Sequence, residues 1–159
     1  RYATRRNMRQ NIFNPDFQDF IAALNMNEVS YMLVGGYSVI LHGYQRTTGD
    51  MDIWVQPSGE NYNRLEKAFA VFGMSVFNMT AERFLNTAQY EVFTFGRPPV
   101  SIDILTEVKG LNFEVSFATS EWFEISDSLS VRALCLDDLL EAKRAAARPK
   151  DLDDIENLG

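Results

Sequence analysis

A chain of 159 residues, 46% hydrophobic and 23% charged, can bury one sizeable core, which argues against disorder. Its net charge of −7 argues against general binding to nucleic-acid backbone, and a single cysteine, Cys135, excludes an internal disulfide or a thiolate zinc cluster. No apolar run approaches the roughly 20 residues a bilayer crossing needs, so no membrane association is expected and a cytoplasmic location is the default.

Residues 1–7 carry three arginines and no acid, and Met8 follows; they read as vector-derived sequence. Residues 1–13 are then an N-terminal extension and 14–159 a single domain. Asn14-Pro15-Asp16 supplies an N-cap, a first-turn proline and an acid at the positive dipole end, so a helix starts there. Phe17, Phe20, Ile21 and Leu24 give it an apolar stripe to about Asn25. "SYMLVGG" reads as a short strand ending in glycines, "YSVILHGY" as a helix stopped by Gly43, and "MDIWV" as a strand. "ENYNRLEKAFAVFG" is an amphipathic helix closed by Gly73. "YEVFTF", "VSIDIL", "FEVSF" and "LSVRAL" read as four strands, with Cys135 a buried thiol at the end of the last run. "LDDLLEAKRAAA" and "KDLDDIENL" are helical, and the whole is an α+β domain, helices packed on a mixed sheet.

Asp50 and Asp52 lie two apart on a strand, so they project to one face with Cα atoms roughly 6–7 Å apart. Met51, Ile53 and Val55 take the opposite, core side. Two carboxylates that close repel, and a hard divalent cation relieves the repulsion. Asp103 interrupts the β-branched run "VSIDIL", where a carboxylate is seldom left unpaired. It either meets a base such as Arg46 or Lys143, or joins Asp50 and Asp52. In the second case the three can hold two magnesium ions about 3.5–4 Å apart, an arrangement suited to nucleotidyl transfer. Gly35-Gly36, between a strand and a helix, lets backbone N–H groups approach an anion closely.

The order strand, Gly-Gly, helix, Arg-Thr-Thr-Gly, Asp-x-Asp strand and single-Asp strand, with the C-terminal "LDDLLEAKRAAARPKDLDDIENL", resembles the nucleotidyltransferase superfamily of DNA polymerase β-like fold. It is most similar to its minimal and abortive-infection type toxin members. The resemblance implies an enzyme with Mg2+ (or Mn2+) as cofactor and an NTP as substrate. Metal falls to Asp50, Asp52 and Asp103, and the triphosphate to Gly35 and Gly36. Many members carry Gly-Ser where this chain has Gly35-Gly36; Ser38 substitutes only if the turn permits. Arg46 and Thr48 either reach a phosphate or cap the second strand. Lys143 falls in the middle of the stripe Leu136, Leu139, Leu140 and Ala147, where an ammonium must snorkel or meet an anion. The resemblance assigns it a catalytic role, with Asp103 or triphosphate as partner, and its replacement by methionine should leave the fold intact.

His42, at a helix end, reads as structural, and Trp54 either lines a base pocket or packs. The run Asp151, Asp153, Asp154, Glu156 reads as a solvated face, and Lys150 with Asp151 as a helix start. The acceptor is open: a tRNA end, a protein side chain or a small molecule. A toxin-antitoxin or abortive-infection setting, with a protein partner, accompanies the resemblance. The competing function is a nucleotide-binding or antitoxin-like module of the same fold without turnover.

Overall fold

The computed structural model describes residues 13–97 and 100–159, so the readings of residues 1–7 and of the extension up to residue 12 lie outside the described residues. Helix α1 (Pro15–Met26) starts where Asn14 Oδ1 accepts the Phe17 N–H at 2.9 Å. It buries Phe17, Phe20, Ile21 and Leu24. Strand β1 (Tyr31–Val34) is buried along its whole length and runs straight into α2 (Gly35–Leu41). The two glycines therefore form the first turn of the helix rather than a linker before it. Residues 42–50 have no regular structure and lead to β2 (Met51–Val55). Helix α3 (Gly59–Phe72) is capped by Ser58, and it is closed where the sequence predicts, by Gly73 in the left-handed region. Phe20 of α1 meets Phe69 and Phe72 of α3 edge-on.

A short helix, α4 (Ala81–Leu85), precedes the hairpin of β3 (Val92–Arg97) and β4 (Val100–Leu105). Next come α5 (Phe113–Ala118), the hairpin β5 (Glu121–Ser126) and β6 (Leu129–Ala133), and two closing helices, α6 (Leu136–Ala146) and α7 (Pro149–Leu158). The six strands form one mixed sheet in the order β3-β4-β2-β1-β6-β5. β2 runs antiparallel to β1 and parallel to β4, while β1 and β6 are parallel.

Two sequence readings are corrected here, and one strand not read from the sequence is added. "FEVSF" is helix α5, not a strand: Asn112 Oδ1 accepts the Val115 N–H, and this cap sets a helix. Phe113 and Phe117, four apart, then stack at 5.4 Å, while Val115 points to solvent. The strand in this region is the following "EWFEIS", β5, whose outward Trp122 and Glu121 hide the apolar alternation. Cys135 is half-buried at the N-cap of α6, facing Thr119 Oγ1 at 3.7 Å, rather than buried.

The sheet has two unequal cores. Met51, Ile53 and Val55 face the larger one, with α1 and α3; Trp54 faces the smaller one, with Met32, Val34, Phe113, Leu134 and Leu139. Asp52 alternates with Met51 and Ile53, so it lies on the face of Trp54, on the side of α5 and α6.

Candidate active site

The parallel pairing of β2 with β4 sets Asp52 directly opposite Asp103. Asp50 stands exposed one residue before β2 begins. Burial, then the Asp103 charge and a proton shared with it, then Asp50, push the Asp52 carboxyl up to about 7, against a lowering by Lys150. Asp50 is also raised, by burial and then by Asp103. Asp103 accepts a 2.8 Å hydrogen bond from Thr94 Oγ1 of the neighbouring strand β3. Neither Arg46 nor Lys143 pairs with it; Asp52 stands beside it in register, and its charge acts on both Asp50 and Asp52.

Gly35 has φ +68, and a Cβ placed there would overlap the Asp52 carboxylate. A Cβ on Gly36 would overlap the Thr48 hydroxyl and lie 3.3 Å from an Arg46 guanidinium nitrogen. The pair is thus required by close approach on both sides: backbone abuts the carboxylate at one residue and the Arg46–Thr48 turn at the next. A cleft of about 600 Å3 opens between them, lined by Gly35, Gly36, Arg46, Thr48, the three aspartates, Lys143, Arg148 and Lys150. Ser38 is not brought there. It is fully buried in α2, and its hydroxyl has no hydrogen-bond partner among the described residues.

Lys143 borders the cleft, but its partners differ from those expected. Its ammonium contacts Asp151 Oδ1 at 3.1 Å and Asp154 Oδ2 at 3.0 Å, both on α7, instead of Asp103. Arg46 also donates to Asp154, through Nε to Oδ1 (2.8 Å) and Nη2 to Oδ2 (3.0 Å), and its Nη1 donates to the Thr47 carbonyl. Arg148 Nε bonds Asp151 at 2.7 Å, closing the first turn of α7. The solvated-face reading of the acidic run is therefore overturned for two of its members. Asp151 and Asp154, three apart on one helical face, are wholly buried, whereas Asp153 and Glu156 stay exposed. Burial pushes Asp151 up, but Arg148 and Lys143 outweigh it and hold the carboxyl below its ordinary value. Arg148 and Lys150 at the cleft are the residues that sequence reasoning underrated. Their signal was the basic "RPK" set within an acidic C-terminal stretch.

As the side chains stand, no group of three His, Cys, Asp or Glu among the described residues is disposed to hold a metal ion. The donor chemistry of Asp50, Asp52 and Asp103 still fits a hard cation. All the donors are carboxylate oxygens, and two of the three groups are raised, first by burial and then by the neighbouring Asp103 charge, a repulsion that a cation would relieve.

The fold has a solved counterpart. The chain is similar to the crystal structure of the lincosamide antibiotic adenylyltransferase LnuA, lincomycin-bound, with a TM-score of 0.54 and 15% identity, covering 91% of this chain and 95% of that one. The architecture is that of a nucleotidyltransferase fold. No family model and no curated protein matches the chain.

Within this nucleotidyltransferase fold the remaining candidates are structural. The His42 ring nitrogen lies 2.8 Å from the Leu134 carbonyl, with the ring edge-on to Phe123, which ties the end of α2 to the β6 side of the sheet. Trp54 packs edge-on to Phe113 and does not line the cleft. No helix of the described residues is long and apolar enough to cross a membrane.

Proposed function

We propose that the chain is a nucleotidyltransferase using Mg2+ or Mn2+ to move a nucleoside monophosphate from an NTP to an acceptor hydroxyl or phosphate. The observation that carries this reading is the meeting of three elements at one cleft: Asp52 paired in register with Asp103, Asp50 at the strand mouth, and the Gly35–Gly36 backbone against both Asp52 and Thr48. Asp50, Asp52 and Asp103 would hold the metal, which would supply neutralisation of the charge developing on the reacting phosphate. Gly35 and Gly36 offer backbone N–H groups to the triphosphate, with Arg46, Thr48, Lys150 and Arg148 around it. Asp103, steadied by Thr94, orients the attacking oxygen and accepts its proton. The new bond joins that oxygen to the α-phosphorus, the bond to the bridging oxygen breaks, and pyrophosphate leaves. Lys143 serves the site by fixing α7 and, through Asp154, Arg46.

The acceptor is a tRNA end, a protein side chain or a small molecule. The solved counterpart, described as a lincosamide adenylyltransferase, favours the last. A toxin-antitoxin or abortive-infection setting, with a protein partner, belongs to this reading too. A second reading, a nucleotide-binding module without turnover, is favoured by the burial of Ser38, which leaves the glycine motif with no hydroxyl of its own. Incubation with each labelled NTP, Mg2+ and cell lysate tests both. Label moving into RNA, protein or a small molecule supports transfer, whereas NTP bound and never consumed supports the module.

A further inference from the structure

Asp154 is wholly buried and is not among the residues lining the cleft, yet two cations hold its carboxylate. Lys143 of α6 contacts Oδ2 at 3.0 Å. Arg46, on the irregular segment 42–50, donates Nε to Oδ1 at 2.8 Å and Nη2 to Oδ2 at 3.0 Å. This contact takes up the Nε–Nη2 edge of the guanidinium and leaves Nη1 pointing away from Asp154. Nη1 donates to the Thr47 carbonyl at 2.8 Å, and a Cβ added to Gly36 would lie 3.3 Å from it. A guanidinium Nη carries two N–H groups, so one is left to spare. We propose that Asp154 is a positioning residue for the triphosphate: by gripping Arg46 along one edge, it turns Nη1 toward the Gly36 wall of the cleft.

The inference rests on the nucleotidyl-transfer reading and adds to it a residue that never meets the ligand. Arg46 is a long side chain on a segment without regular structure, so a free guanidinium there would lose rotamer freedom on meeting an anion. Asp154 removes that freedom in the fold itself. Its carboxylate does not follow a swinging Arg46, because Lys143 holds Oδ2 from α6. The segment is tied to α7 a second time, where Tyr44 Oη donates to Asp153 Oδ2 at 2.8 Å. The state of the other cations makes the aim of Nη1 matter. Lys143 contacts both Asp151 and Asp154, and Arg148 is bonded to Asp151. Among the described residues of the cleft, Arg46 Nη1 and the Lys150 ammonium are the cationic groups with no carboxylate contact. Of these, Nη1 is the one set beside Gly36.

Calorimetry with Mg2+ and inorganic tripolyphosphate, on the whole chain, tests this through a cycle of variants. Asp154→Asn should weaken binding about tenfold in the parent. It should have no further effect once Arg46→Met has removed the guanidinium, because it acts through that group alone. A carboxylate that merely anchors α7 would lower affinity equally in both backgrounds, and that result overturns the inference. So does an Asp154→Asn variant that binds like the parent. Arg46→Lys carries the test if Asp154→Asn does not fold. It keeps a cation for Asp154 but has no second arm to aim, so it should bind tripolyphosphate as weakly as Arg46→Met. An Arg46→Lys variant that binds like the parent overturns the inference. A parent that binds neither tripolyphosphate nor any of the four NTPs refutes the nucleotidyl-transfer reading itself, which is a distinct result.

Discussion

Asp151 and Asp154 lose all contact with solvent yet have Lys143, Arg46 and Arg148 around them, whereas Asp50, Asp52 and Asp103 line the cleft with no ion pair to a base among the described residues. Asp103 accepts a hydrogen bond from the Thr94 hydroxyl, and Lys150 and Arg148 act on Asp52 only through their charge. The first set holds Asp151 below its ordinary value; the second raises Asp50 and Asp52. Paired carboxylates that are satisfied internally form structure, while grouped carboxylates short of cations are prepared for a positive partner. The contrast separates aspartates that tie α7 to Lys143 and Arg46 from aspartates that line the cleft.

The strongest way to break this comparison is to remove the cation from the paired set. Lys143→Met should cost about 3–5 kcal/mol, because it leaves buried carboxylates short of charge. This reverses the sequence-based expectation that the substitution would spare the fold. Thermal melts check it: a variant as stable as the parent would mean that Lys143 does not support α7. Next in size is the response of the unpaired set to ligand. With Mg2+ and an NTP at a hundred times Kd the native state gains about 2.7 kcal/mol, a rise in Tm on the order of 5–10 °C. Asp50→Asn with Asp52→Asn should abolish that rise and leave the metal-free protein at least as stable. A double variant that still responds like the parent would remove these aspartates from the site.

The pH dependence sharpens the contrast further, because the two sets run in opposite senses. Asp52 has its carboxyl raised from 3.8 to about 7, so between those values the folded chain holds a proton that the unfolded chain releases. Its contribution to metal-free stability therefore falls as pH rises through that window. Asp52→Asn should flatten this slope and stabilise the protein above about pH 7, on the order of 1–2 kcal/mol. Asp151 is lowered instead, so its contribution is fully present above the ordinary aspartate range and is lost as acid titrates it below. Chemical denaturation across pH, parent against variant, measures both. The smallest effect belongs to Thr94→Val, which removes the hydrogen bond to Asp103 on an exposed edge strand. Stability should change by no more than about 0.5 kcal/mol while the response to metal and NTP weakens several-fold. An unchanged response would show that Asp103 needs no steadying from β3.

The elements closest to the carboxylates were the most legible. Alternation in "MDIWV" and "VSIDIL" fixed both strands, and the side each aspartate faces follows from a period of two. What alternation does not contain is neighbourhood: that β2 lies parallel beside β4, with Asp52 level with Asp103, depends on the whole sheet. Lys143 was readable as an ammonium on a core face, but its partners were not. They sit eight and eleven residues further on, across the turn at Ala147, whose backbone has φ +52. Asp151 and Asp154 looked like surface charge because an acidic run with period three or four suits solvent as well as it suits a buried face. At α5 the pattern misled outright: Phe113, Val115 and Phe117 alternate, yet one cap from Asn112 turned the same letters into a helix.

Trp54 has a use beyond packing. The chain contains two tryptophans. Trp54 is 1% exposed, two residues along the strand from Asp52 on the same face, while Trp122 is 52% exposed with the Arg132 guanidinium stacked over it. An indole shut away from water keeps a fixed surrounding, so its emission responds to nearby charge more than to solvent. Once Trp122 is replaced by phenylalanine, Trp54 becomes an internal optical gauge beside the carboxylates. It would register a proton leaving Asp52, or a cation arriving there, without any attached dye.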